Sequence, residues 1–209
     1  LENADLRRHQ LGAGERLLRF EHLEQENAHL RELLQMSRRV ETRSIAADIL
    51  YNAPDPFARK VILDRGAQQG VEPGLAVVDA NGVIGQVTRV HPIQAEVTLL
   101  TDRNQSIPVS VVRNGVRGVL YGVGRGMLEM RHVLADVDIR PGDQLVTSGL
   151  DGVFVPGLPV ATVTRVNRDA DAFARIDCEP LAAIERSVQV LVVGRAAYPP
   201  PPPEAEGGR

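Results

Sequence analysis

At 209 residues the chain can hold one large domain or two small ones, and 43% apolar with 24% charged residues is ordinary for a globular protein. A formal net charge of −3 gives no pull towards nucleic acid or anionic lipid, and 3% aromatics without tryptophan argue against a base-stacking platform or ring-lined cofactor box. The single cysteine, Cys178, rules out an internal disulfide, and no apolar run approaches the roughly 20 residues that cross a bilayer.

The chain opens on Leu1, already inside a helical pattern, so an upstream part is expected. From Phe20 the spacing is that of a heptad seam, Phe20, Leu23, Asn27, Leu30 and Leu34, in steps of three and four. Before it, Gly12 and Gly14 weaken the helix, each by about 1 kcal/mol relative to alanine. A helix this polar is marginal alone in water and needs a partner. Asn27 falls on the seam, where a buried amide fixes register and strand number. The pattern predicts a coiled-coil helix over 1–43 that pairs as a parallel dimer. The alternative is a single helix lying on its own β domain.

After Arg43 the period changes to two. Strands are expected at Ser44–Leu50, Lys60–Asp64, Leu75–Asp79, Val83–Val90, Glu96–Thr101 and Ile107–Val112. They continue at Arg117–Tyr121, Met127–His132, Gln144–Thr147, Leu158–Val166, Ala172–Cys178 and Val188–Val193. Pro73-Gly74, Asn81-Gly82, Asn114-Gly115 and Pro141-Gly142 supply the turns. Many short strands at this spacing read as β-barrels or sandwiches. A repeat refines this. Val71–Val78 is echoed by Ile139–Val146, and Gly85–Val90 by Ala161–Val166, at offsets of 68 and 76, so the second copy carries an eight-residue insertion. The fold expected is mainly β with an N-terminal coiled coil: two small barrels, consecutive or interleaved, over 44–115 and 116–194. The tail 195–209, with five prolines from Pro199 to Pro203, is expected to be disordered.

Reactive centres are hard to find. Two barrels invite comparison with trypsin-like hydrolases, which need a serine, a histidine and an orienting carboxylate. The β region has only His91, in a turn before Pro92, and His132 at a strand end, and Ser148 lacks an oxyanion-hole context. Five scattered histidines give no metal-ligand spacing. Gly122–Gly126 leads into another strand, not a helix, and reads as a hairpin turn rather than a phosphate loop. Cys178 reads as a small residue in a strand. Neither an enzyme nor a cofactor is expected. Phe57, Tyr121 and Phe154 are the candidate partner contacts, with burial in the core as the competing reading.

Motifs along 45–194 resemble the rod-shape-determining MreC family. They are Asp55-Pro56-Phe57 with Arg59, Gly66 with Gly70-Val71-Glu72-Pro73-Gly74, Asn81–Val87, Leu99–Asp102, Ile107-Pro108-Val109, Arg113–Gly118 and Gly142–Gly152. The pattern departs at Phe154–Gly157 and at Ala161, which affects one turn and one strand start. The resemblance implies a non-enzymatic periplasmic scaffold of the cell-wall elongation machinery, held in the bacterial inner membrane by one upstream helix. It implies self-association, as a dimer and by extension a filament. It also implies contact with a class B penicillin-binding protein, with MreD, RodA and MreB in the same assembly. A periplasmic adaptor of an efflux or secretion system is the alternative, but such proteins need a helical hairpin and only one helix is read here.

Overall fold

The alternating valines and isoleucines become strands because each β-branched side chain suits a pleated, half-buried surface. The computed structural model describes residues 19–35, 44–54, 58–168 and 173–194. A helix runs over 19–35, and the chain divides into a helical unit and a β unit. The strands are β1 (Ser44–Asn52), β2 (Lys60–Leu63), β3 (Ala76–Val78), β4 (Val83–Val90), β5 (Ala95–Leu99) and β6 (Ser106–Val111). They continue as β7 (Arg117–Gly122), β8 (Leu128–Leu134), β9 (Gln144–Thr147), β10 (Pro159–Asn167), β11 (Phe173–Pro180) and β12 (Gln189–Val193). All twelve fall where the alternation placed them. The tail, and the expected coil outside 19–35, lie outside the described residues.

The strands close into two six-stranded barrels, ordered β1-β12-β3-β4-β5-β2 and β10-β11-β8-β7-β6-β9. Inward positions are small or aliphatic, such as Ile107, Val109 and Val111 on β6 and Ala174, Ile176 and Cys178 on β11. Closure leaves no unpaired strand edge along either barrel.

The sequence repeat is a structural duplication, visible bond by bond. Ala76 pairs with Gln86 and Val77 with Gly85 in the first barrel; Gln144 pairs with Thr162 and Leu145 with Ala161 in the second. The β4–β5 bulge between Val87 and Arg89 returns between Val163 and Arg165. Gly74 N donates to Val87 O at 2.7 Å, and Gly142 N to Val163 O at 2.8 Å. These two glycines stand at φ +88° and +91°, a conformation other L residues rarely adopt. The insertion lies in the β9–β10 connection.

Copy one is β1–β6 and copy two β7–β12, but each gives its sixth strand away. β6 sits between β7 and β9, and β12 takes the equivalent place between β1 and β3. The barrels are therefore interleaved by reciprocal exchange. This corrects the expected boundaries: β6 leaves the 44–115 barrel for the second, and β12 leaves 116–194 to close the first. Local sequence does not carry this, because a buried aliphatic strand fits either slot by composition.

Each of the two crossing segments has buried residues. Leu100, Thr101, Asp102 and Gln105 lead from β5 to β6, and Ala182 and Ile184 lie on the return to β12. Close approach there demands glycine. A Cβ at Gly82 would lie 2.5 Å from Pro159 O, and one at Gly122 2.0 Å from Asp102 O.

Candidate functional site

Among the described residues no three His, Cys, Asp or Glu side chains gather into a group that could hold a metal. His91 follows β4 in the first barrel and His132 lies on β8 in the second. Ser148 follows β9, its hydroxyl accepting a long 3.4 Å bond from Leu150 N. These groups form no triad. The Gly122–Gly126 stretch is the β7–β8 hairpin, with Val123 N donating to Met127 O.

The densest charged cluster is structural. Arg113 grips Asp143 through Nε and Nη2 at 2.8 and 2.9 Å, and Nη1 reaches Asp138 at 2.7 Å. These bonds hold both carboxyls below the usual range. They pin the β6–β7 hairpin to the turn before β9.

Cys178 is buried on β11, and its desolvation, with Asp177 adding negative charge nearby, pushes the thiol up to about 12. The thiolate is the reactive form. Iodoacetamide at pH 8 should therefore alkylate the folded chain at least ~100-fold more slowly than the urea-unfolded chain. Comparable rates by mass spectrometry would show the strand opening readily.

What the structure does offer is surface. On β8 a bulge opposes Arg131 and His132 to the single Arg175 of β11, and His132 takes φ +60°. A non-glycine residue there is uncommon, and bulges re-aim side chains. The result is a row of rings on the outside of the second barrel. Tyr121 and His132 lie 6.5 Å apart edge to face, and His132 and Phe173 6.4 Å apart. The Arg131 guanidinium stands 5.2 Å from the Tyr121 ring centroid. Glu129 accepts a hydrogen bond from Arg131 Nε and faces Arg175 Nε at 3.5 Å. Phe173 and its cross-strand partner Leu134 are both exposed.

Of the expected contacts, Tyr121 belongs to this row. Phe154 does not: at 2% exposure it is core, carried inward by the inserted β9–β10 connection. The competing reading of Phe154 is the one that stands, because a loop aromatic with a barrel end to fill is more stable buried. Phe57 lies outside the described residues. Sequence reading missed His132 and Phe173 as surface groups. The doubled Arg131-His132 outward pair was the available signal, since a break in alternation marks a bulge.

On the helix, Phe20, Leu23, Leu30 and Leu34 are 43–59% exposed, and Asn27 is exposed with them. Among the described residues they form an exposed apolar stripe.

The fold defines a class of protein, the double β-barrel of two interleaved six-stranded units. The chain belongs to the MreC family, since the model of "Rod shape-determining protein MreC, barrel core" matches residues 49–194. It is 37% identical to the cell shape-determining protein MreC of Escherichia coli over 92% of this chain and 53% of that protein. With the Haemophilus influenzae protein it shares 40% identity over 92% of this chain and 56% of that one. The chain thus spans about half the length of these curated relatives. The crystal structure of MreC from Pseudomonas aeruginosa superposes with a TM-score of 0.71 at 42% identity, covering 73% of this chain and 99% of that one. A structure described as a complex between PBP2 and MreC from Helicobacter pylori shares the fold, with a TM-score of 0.60 at 19% identity, over 74% of this chain and 100% of that one. The family is a cell-shape-determining structural one and not an enzyme family.

Proposed function

We propose that this chain is the periplasmic part of a non-enzymatic scaffold that maintains rod shape by organising cell-wall synthesis. In this reading an upstream helix anchors it in the inner membrane, and the described helix pairs with that of a second copy as a parallel coiled coil. The double barrel then meets a class B penicillin-binding protein, with MreD, RodA and MreB in the same assembly, and makes the further self-contacts of a filament. The H. pylori relative, solved with PBP2, supports the choice of partner class. Tyr121 and Phe57 remain the candidates for that contact.

The observation that carries the reading is the exposed seam. Four large apolar side chains on one helical stripe, with a polar Asn27 among them, are what a parallel dimer needs. Replacing Leu23 and Leu30 together by Asp puts charges into that contact, where unpaired burial is strongly unfavourable. Sedimentation velocity should show dimers lost, with association weakened at least tenfold. An unchanged mass distribution would remove the seam as the dimer contact.

A further inference from the structure

We propose that the outer face of β8, β10 and β11 binds a carboxylate-bearing sugar chain of the kind that makes up a bacterial cell wall. The choice of sugar rests on the cell-wall reading above; the rest stands on the groove itself.

Two depressions lie on this face. One of about 720 Å³ runs past Arg131, His132, Asn167, Phe173 and Arg175, and one of about 390 Å³ past Thr164, Arg165 and Asp177. Glu129 borders both, so the two adjoin. Cross-strand pairs fix the order of the walls: Asp177 pairs with Glu129 and Arg165, Arg175 with Asn167, and Phe173 with Leu134. From Phe173 to Asp177 the face extends about 13 Å along β11, at about 3.3 Å per residue, which is longer than one sugar ring.

The polar groups of this groove are set in advance. The Glu129 carboxylate, at 13% exposure, stands between two guanidiniums. It accepts from Arg131 Nε, and Arg175 Nε lies 3.5 Å from it. Each arginine is thus held through Nε, and its terminal nitrogens have no hydrogen-bond partner among the described residues. Arg131 is steadied further by the Tyr121 ring, 5.2 Å from its guanidinium. A fork fixed in this way receives a carboxylate bidentately with little further ordering. The bulge adds another group. It turns His132 outward next to Arg131, so consecutive residues of one strand line the groove. Asn167 makes no side-chain hydrogen bond among the described residues and offers both donors and an acceptor.

Charge and shape choose the ligand. Arg131, Arg165 and Arg175 against Glu129 and Asp177 leave one positive charge in excess, which favours an acidic ligand. An extended peptide is commonly held by main-chain bonds to an open strand edge, and the closed barrel offers none. A sugar chain carries its hydroxyls and carboxylates around each ring, where amide, imidazole and guanidinium groups can meet them. It also carries a C–H face, which the negative face of an exposed aromatic ring attracts. Phe173, 53% exposed, supplies that ring.

The probe is a cell-wall tetrasaccharide stripped of peptide by an amidase, so that its lactyl carboxyls are free. Titrated into the full chain by calorimetry, it should bind at least about tenfold more tightly than chitotetraose, which has the same linkage and no carboxylate. Arg175→Gln should remove most of that difference, and Arg175→Lys, which keeps the charge but loses the fork, should recover only part of it. Phe173→Ala should weaken both sugars about fivefold. Both positions are exposed, and circular dichroism checks the fold. The chain carrying Leu23→Asp and Leu30→Asp should bind the tetrasaccharide as wild type does, so helix pairing and sugar binding fail separately. Equal binding of chitotetraose, tighter binding of an oligoglutamate, indifference to Arg175→Gln and Phe173→Ala alike, or no binding of the tetrasaccharide would each overturn the proposal.

Discussion

Cut at the Asn114-Gly115 turn, the β region should give two fragments that fold only together. Each fragment holds six strands, but its own barrel needs the sixth strand of the other. Without β12 the first barrel loses Val190, Leu191, Val192 and Val193, all buried. At about 1.5–3 kcal/mol for each side chain, that is roughly 6–12 kcal/mol, comparable with the whole stability of a domain. β1 and β3 would also be left with open edges. β6 is a poor substitute in the same slot. Aligned by register it sets Ser110 where Leu191 is buried, and Pro108, which lacks an N–H, where Gln189 pairs with Asp48. Separate fragments should therefore show little cooperative melting, and mixing them should restore the β signal and a single sharp transition. A first fragment that is monomeric and melts cooperatively alone would show the exchange to be dispensable.

Strand positions were legible because a buried face imposes a period of two on aliphatic side chains whatever lies across from it. The duplication was legible through its turns, where Pro73-Gly74 and Pro141-Gly142 both have to adopt the same left-handed bend. The exchange of β6 and β12 was not. Pairing partner is a property of the whole topology, and Val109 would serve in either barrel. His132 escaped for the opposite reason. Its conformation is local, but αL is rarely written with histidine, and the residue looked like a strand end. Phe154 went to the core because the insertion folds back over the barrel, a path that no period in a loop reveals. The helix over 19–35 and its apolar stripe were readable by spacing alone, since the step of three and four is fixed by helix geometry.

Asp79→Ala should be among the most destabilising single substitutions in the β unit, lowering stability by about 3–5 kcal/mol. The side chain is 1% exposed. Its Oδ1 accepts from Asn81 N at 2.8 Å and Gly82 N at 2.9 Å, closing the β3–β4 turn. Its Oδ2 accepts from Ala183 N and from Ser187 Oγ, both at 2.8 Å, on the segment that brings the chain back from the second barrel to β12. One carboxylate thus joins the hairpin of the first barrel to the strand that closes it. Alanine would strand three backbone N–H groups, and a buried donor left without a partner costs about 1–3 kcal/mol. The second copy separates the two roles. Thr147 stands at the position equivalent to Asp79, and its Oγ1 accepts from Leu158 N at 2.9 Å, capping its own turn without reaching a crossing segment. Asp79→Thr should therefore keep much of the turn and lose the link, with about half the alanine effect, while Ser187→Ala should cost only about 1 kcal/mol. At about 2–4 °C per kcal/mol for a unit of this size, thermal melts resolve the three variants. A melting point for Asp79→Ala within 2 °C of wild type would mean that the crossing segment is held by its apolar contacts, with Ala182 and Ile184 sufficient to seat β12.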